Sequence, residues 1–539
     1  MRLLLIGLLA SSACGPAYDV VIRGGTIIDG TGAPRRLGDV AIRGDSIVAV
    51  GRVAGRATVT VDATGLTVTP GFFDLHSHSE YDRLRDGRGP SFAYQGITTE
   101  IFGEDGSMGP VGGKREPDDF LRLMGITAAW STLGGFLDTL ERRGSGANFA
   151  SYLGTGAVRA YVMGYGSQRP TSAELDSMRS VVRQAMSEGA LGVSSGLSYA
   201  PNVYMSTAEL TALAKEAARS GGLYATHIRT INGQDPGAVR EAITIGDSAG
   251  IRVHLFHLNS VSSTAAPAFL SIIDSARARG VKLTGDSYTY TWGITGLADY
   301  IPSWAHAGGL DSLLARIRNP ASRARIKATF TTMEPFYARV GWDKVRLGVA
   351  DKSINGKLVT EAAAALGKTP EDAYLDAVDH AKGAGIVIDW NNEEETLRQV
   401  IAKPYVGGGT DGAAVNLELE QQWPLLHPRL LGTMPKWIRQ YVRDEKLMPL
   451  EEAIRRLTSL GAEITGLTDR GTVAVGKAAD LLVFDAERLA DRSTFENPNH
   501  YAEGMKYVFV NGRAVVENGR LTGALPGRAL RGPGHHGGH

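Results

Sequence analysis

A single cysteine, Cys14, in a chain of 539 residues rules out a disulfide within the chain and any cluster of thiolate metal ligands. There is no excess of either charge. The 57 basic side chains balance 57 acidic ones, so nothing in the charge argues for binding nucleic acid or an acidic surface. Aromatic residues are few, at 7%, but hydrophobic residues reach 43%, enough for a sizeable core. No stretch has the roughly 20 apolar residues that a bilayer span requires. The 68 glycines follow no collagen-like or linker-like period and read as turn and close-packing positions.

The amino terminus, MRLLLIGLLASSACG, has Arg2, then a short apolar run from Leu3 to Ala10, then small residues up to Cys14. That order of parts is the pattern of a secretory signal over residues 1–16. It is also similar to a bacterial lipoprotein signal, with Ser11 where that pattern usually has Leu. The expectation is an exported protein, periplasmic or membrane-anchored through a lipid on Cys14. Plain secretion and an uncleaved terminus with a buried cysteine are the other readings.

After the signal, residues 17–67 read as short strands with glycine turns, in VVIRGGTIIDG, GDVAIRGDSIVAVG and TVTVDATGLTVTP. The pattern returns over 469–528 in GTVAVGKAADLLVFD and MKYVFVNGRAVVENGRL. The spacing predicts a small β-sandwich built from both ends of the chain. It would be interrupted over 68–468 by an α/β domain of the size of a TIM-like (β/α)8 barrel. Eight candidate barrel strands run in order: GFFDLHSH, TTEIFG, AYVMGYG, GALGVSSGL, LYATHIR, RVHLFHL, VKLTGDSY and YVGGGTDG. Two intervening helices are expected, one beginning at Thr171 and another at Ser206, the latter with a Ser cap, Glu209 three residues on and Gly stops. The long interval before the eighth strand predicts a helical insertion at about Trp292 to Phe336 overhanging the site. Residues 529–539, ending in GPGHHGGH, read as a flexible tail.

The sharpest chemical signal is Asp74-Leu75-His76-Ser77-His78. Residues two apart on a strand face the same way, so His76 and His78 can aim at one point in the barrel mouth. His227 ends the fifth strand, His257 the sixth and Asp411 the eighth. Chemistry in this fold collects at those strand ends. Two histidine pairs and a carboxylate are what a one- or two-metal hydrolase needs. Strand alternation puts His254 on the opposite face from His257, as a structural histidine. His427 and Trp423, on a later loop, also read as structural.

These stretches resemble the amidohydrolase superfamily and, within it, the N-acyl-D-amino-acid deacylase (D-aminoacylase) family. The resemblance covers nearly the whole chain after the signal, including TPGFFDLHSHSEYD, QGITTEIFG, EGALGVSSGLSYAP, DSYTYT, TDGAA and HPRLLGTMPKWIRQYV in shared order. It implies one metal on His76, His78 and Asp411 and a second on His227 and His257. A strand 2 residue would bridge or support both. The family often has cysteine there, in a GNCG turn. Here the turn is Gly103-Glu104-Asp105-Gly106, so Glu104, or else Asp105, takes that place. A single zinc on Glu104, His227 and His257 is the other arrangement. Some amidohydrolases use a carbamylated lysine on strand 4, but this chain has no lysine between Lys114 and Lys215. Asp411 is the expected general base and then acid. Tyr288, Tyr290 and Arg229 are the candidate substrate contacts. Asn259 stands where family members commonly carry a lysine.

The expected reaction is hydrolysis of a linear amide bond in a small molecule, an N-acyl-D-amino acid, with one or two Zn2+ ions. The rival enzymatic readings are a cyclic amidase of the dihydroorotase or hydantoinase kind and a D-residue dipeptidase. A secreted, non-catalytic scaffold is the distant alternative.

Overall fold

A computed structural model describes residues 17–115, 121, 124–229, 235–332, 341–390, 392–419 and 425–536. Cys14 and Trp423 lie outside the described residues.

The two ends of the chain join in one nine-stranded sheet. Its order is Arg520–Leu521, Arg513–Glu517, Met505–Val510, Leu481–Phe484, Thr67–Pro70, Tyr18–Ile27, Arg36–Arg43 and Ser46–Gly51, with Ala57–Asp62 added to Tyr18–Ile27. The seam between the halves is antiparallel, with Val68 opposite Val483. Ile22, Val40 and Val68 from the first half pack with Leu481, Val483 and Phe509 from the second in one buried cluster. Strand Tyr18–Ile27 shifts register between Ile22 and Gly25. Gly24 there has φ +68°, and a Cβ on Gly25 would meet Val68 Cγ2 at 2.5 Å, so this bulge needs its two glycines.

The central domain is a barrel of eight parallel strands, here β1 (Phe72–Asp74), β2 (Ile97–Phe102), β3 (Asn148–Ser151), β4 (Gly192–Gly196), β5 (Leu223–His227), β6 (Arg252–Leu255), β7 (Leu283–Ser287) and β8 (Val406–Gly408). They form two arcs, β1–β3 and β4–β8. The arcs are joined by Leu75 N donating to Gly408 O at 3.1 Å and by Leu191 N donating to Ser151 O at 3.0 Å. Every residue of β2, β4 and β5 is buried, as expected of strands covered on both faces. Helices Ser172–Ser187 and Thr207–Arg219 carry the complete capping boxes of Thr171 and Ser206. Each such cap contributes about 1 kcal/mol and fixes where the helix begins.

The structure departs from the sequence reading in three places. The third strand is Asn148–Ser151, while AYVMGYG begins inside helix Thr155–Met163. Small residues at 156, 157 and 160 let that helix lie against the barrel wall, a buried helix that an apolar run alone does not distinguish from a strand. The insertion is longer than expected and is not purely helical. It has a three-stranded antiparallel sheet, Gly293–Gly296, Ile386–Asp389 and Val345–Gly348, with helices including Leu310–Arg318 and Pro370–His380. It has its own core around Ile317, Leu347, Tyr374 and Val387. Finally, the end of the chain is tied down as far as it is described. Leu530 N donates to Phe149 O at 2.7 Å and Gly532 N to Gly189 O at 2.8 Å.

Candidate metal centre

The mouth of the barrel is built from the ends of its strands. Beyond β1 the chain stays extended, because Ser77 N donates to Ile101 O at 2.9 Å and His78 N to Gly412 O at 2.7 Å. Alternation therefore continues through Asp74, His76 and His78. Asp74 is fully buried and pins the eighth strand's end, accepting from Thr410 N at 2.7 Å and Thr410 Oγ1 at 2.6 Å. Burial pushes its carboxyl up to about 8 against those hydrogen bonds.

Glu104 stands between the two histidine pairs. Its Oε2 is 3.0 Å from His76 Nε2 and 3.2 Å from His78 Nε2, while its Oε1 is 3.3 Å from His227 Nδ1 and 3.5 Å from His257 Nε2. Asp411 Oδ1 lies 3.2 Å from His78 Nε2. His76, His78, Glu104 and Asp411 thus present ligand atoms all within 4.8 Å of one another, and so do Glu104, His227 and His257. Asp105 faces away from the histidines and takes Asn202 Nδ2 at 2.5 Å.

Three residues of this mouth hold left-handed backbone, Asp105 at φ 49°, His257 at φ 34° and Asp411 at φ 49°. Such conformations cost of order 1–3 kcal/mol each and persist where the surroundings over-determine them. Gly103 is required for a different reason. At φ +89°, a Cβ there would sit 2.4 Å from Tyr152 O, so only glycine lets the turn bring Glu104 inward.

Donor chemistry fits a divalent ion. Four imidazoles and two carboxylates converge with no thiolate, a nitrogen and oxygen set suited to zinc. Within it, the buried Glu104 Oε1 and His227 Nε2 have no hydrogen-bond partner among the described residues. The carboxylates are held ionised. Burial opposes the charge on Glu104, but the His76 charge and the facing His227 and His257 rings keep its pKa well below the ordinary value. Burial likewise opposes Asp411, and the Arg429 guanidinium with His76 outweighs it. Burial and the neighbouring His257 lower His227, which favours the neutral imidazole that ligates.

The family model for the amidohydrolase family matches residues 59–516. The chain is 31% identical to the D-aminoacylase of Alcaligenes xylosoxydans xylosoxydans, over 95% of this chain and 97% of that one. It is 32% identical to the N-acyl-D-glutamate deacylase of the same organism, over 95% and 96%. The chain is an amidohydrolase of the D-aminoacylase family. The fold agrees. A solved N-acyl-D-glutamate deacylase from Bordetella bronchiseptica, complexed with zinc and a phosphonate that mimics the tetrahedral intermediate, superposes with a TM-score of 0.80 at 29% identity, covering 95% of this chain and 99% of that one.

The remaining candidates of this amidohydrolase divide into those beside the metal ligands and those committed elsewhere. Tyr288 is buried beside the mouth, its hydroxyl taking Asn392 Nδ2 at 2.9 Å and its ring lying 4.9 Å below the Arg429 guanidinium. Tyr290 points away, its ring against His427 and Phe495 and under the Lys436 ammonium at 4.2 Å. Arg229 is committed to the rim. Its Nε and Nη2 hold Glu241 at 2.8 Å each, and it also donates to Val203 O and Met205 O. Asn259 is buried behind the mouth and takes Ser287 Oγ at 3.1 Å. His254 pairs with Asp286 at 2.9 Å and Thr284 at 3.0 Å, away from the ligand atoms.

Sequence reasoning missed two residues. Asp286, at the end of β7, receives the backbone His257 N at 2.8 Å and faces His76 Nδ1 at 3.8 Å, so it holds the His257 main chain and sets a negative charge behind His76. Arg429 Nη1 donates to Asp411 Oδ2 at 2.9 Å. His427 fixes it, accepting Arg429 N at 3.0 Å while its other ring nitrogen donates to Trp292 O. Alternation along DSYTYT marks Asp286 as facing with Tyr288. Arg429 is the first residue of helix Arg429–Lys436, just past its Pro428 cap, where no strand period points it toward the mouth.

Proposed function

We propose that this amidohydrolase hydrolyses N-acyl-D-amino acids to a carboxylate and a free D-amino acid. The observation that carries the reading is Glu104 set between two histidine pairs, with Asp411 and its Arg429 partner on the open side. Similarity over nearly full length to a D-aminoacylase and an N-acyl-D-glutamate deacylase supports the substrate class.

His76, His78, Glu104 and Asp411 would hold one ion and Glu104, His227 and His257 the other. When bound, a divalent ion such as zinc lowers the pKa of water and polarises the amide carbonyl. Asp411 Oδ1 takes the proton as water oxygen bonds to the amide carbon. It returns that proton to the amide nitrogen as the carbon–nitrogen bond breaks, leaving a carboxylic acid and an amine. Arg429 fixes the other oxygen of Asp411, so the base does not rotate away. Its Nε has no hydrogen-bond partner among the described residues, and this buried cation is suited to the substrate carboxylate. Tyr288 offers its hydroxyl toward the carbonyl oxygen. Arg229, held by Glu241, is not used.

A panel of N-acetyl and N-formyl D- and L-amino acids, cyclic imides and dipeptides, assayed for released amine with metal-loaded protein, tests the reading. The expected result is release from N-acyl-D-amino acids and little from their L-forms. Turnover of cyclic imides alone overturns the deacylase assignment.

We also propose export, with Cys14 carrying the lipid, on the strength of the amino-terminal pattern. Radiolabelled palmitate incorporation in the bacterium, lost in Cys14→Ser, tests this. Unlabelled protein excludes the anchor.

A further inference from the structure

The first strand of the insertion, Gly293–Gly296, leaves β7 and borders the metal centre, and the groups at its two ends carry opposite charge. At one end Arg429 Nη2 lies 3.5 Å from Ile294 O while the same guanidinium holds Asp411. At the other end the chain turns and presents Asp299, whose Oδ2 accepts from Thr295 Oγ1 at 2.5 Å and from Gly296 N at 2.7 Å. Thr295 faces Tyr199, and the Tyr199 ring packs edge-on against His227 with centroids 4.9 Å apart. Asp299 therefore connects to the centre through two intervening side chains. Tyr199, Thr295 and Asp299 are all half-buried and so keep a solvent-facing edge.

The turn alone does not account for a charged residue here. Asn would offer Thr295 and Gly296 the same acceptor oxygen without a net charge. Burial and the Glu104 carboxylate instead raise the pKa of Asp299, so its ionised form is costly here unless a cation faces it. Among the described residues no lysine or arginine pairs with it. His306, whose charge would act on Asp299, has its Nε2 on Ile301 O at 3.1 Å, and burial lowers its pKa against the pull of Asp299, which disfavours the charged ring. A partly desolvated carboxylate with no protein cation beside a catalytic centre is matched by a cation on the ligand.

We propose that Asp299 is a specificity-determining residue that receives the cationic side chain of the substrate, and that the preferred substrates are N-acyl derivatives of D-lysine, D-ornithine or D-arginine. This rests on the deacylase reading above. With the substrate carboxylate on Arg429, its side chain runs along Gly293–Gly296 toward Asp299. An acidic side chain in the same place meets the Asp299 carboxylate instead of a cation and is disfavoured.

The test measures kcat/KM of the metal-loaded full chain on N-acetyl-D-lysine, N-acetyl-D-arginine, N-acetyl-D-methionine and N-acetyl-D-glutamate. The basic substrates should exceed methionine by about tenfold or more, and glutamate should be the poorest, the range expected of a charge-assisted hydrogen bond in a partly desolvated site. In Asp299→Asn, which keeps the acceptor for the turn, the lysine-to-methionine ratio should fall by about tenfold or more, mainly through KM, with Tm little changed. Asp299→Lys should reverse the order of lysine and glutamate. Equal rates on lysine and methionine in the unaltered enzyme, or an Asp299→Asn variant that slows all four substrates alike, overturns the assignment while the deacylase reading stands. No release from any of the four overturns both.

Discussion

Arg429 Nη1 and Asp411 Oδ2 lie 2.9 Å apart, both side chains nearly inaccessible to solvent, in the wall of the metal centre. The pair leaves Asp411 Oδ1 facing His78 and the open side of the mouth. A charge-assisted bond of this kind sets both the direction and the protonation state of the carboxylate.

Replacing the base removes proton transfer and little else. Asp411→Asn should fold normally and retain ion binding at His227, His257 and Glu104. Its kcat should fall by about 10²–10⁴-fold, the usual contribution of a positioned acid or base. Purified variant compared with parent by turnover and by metal content checks this, and near-parental kcat refutes the role.

Removing the guanidinium should act on both substrate and base. In Arg429→Met, KM for the N-acyl-amino acid should rise, and the acid limb of the kcat/KM profile should move to higher pH. The sign follows from the pair. Arg429 helps hold the Asp411 pKa below its ordinary value, so its loss lets that pKa rise, and the ionised base is then lost at a higher pH as pH falls. An acid limb in the same place in both proteins shows that another group sets it.

Glu104 links the two histidine pairs, so its loss should be read first in metal content. Glu104→Gln should bind fewer ions per chain after equilibrium dialysis, and the weaker remaining ion should exchange faster. Unchanged stoichiometry and affinity would remove Glu104 from the centre.

Gly103 permits the turn that carries Glu104. Gly103→Ala places a Cβ against Tyr152 O in a left-handed backbone and should destabilise the chain by about 1–3 kcal/mol. A thermal melt of the metal-loaded variant measures it, and an unchanged Tm with parental activity contradicts the packing.

How much of this was readable beforehand depended on the period of each segment. Period-two alternation put His76 and His78 on one side, and the helix starts read at Thr171 and Ser206 are the N-caps of the observed helices. AYVMGYG failed because a fully buried helix and a fully buried strand are both continuous apolar runs. The insertion was under-read because its second and third strands are only four residues each and lie far apart in the chain. Glu104 was separable from Asp105 only in three dimensions, since adjacent acids in a glycine turn have no fixed side. Arg229 and Arg429 both lie near histidines of the mouth, and only the positions of Glu241 and Asp411 show that the first is held at the rim and the second at the catalytic carboxylate.

The most direct test of the central claim, that these six side chains form a metal centre that hydrolyses an amide, is turnover and metal content measured on one sample. Chelated, dialysed protein verified as free of divalent ions should release no amine from an N-acyl-D-amino acid, and activity should return in proportion to added Zn2+. Full turnover by verified metal-free protein would contradict the account.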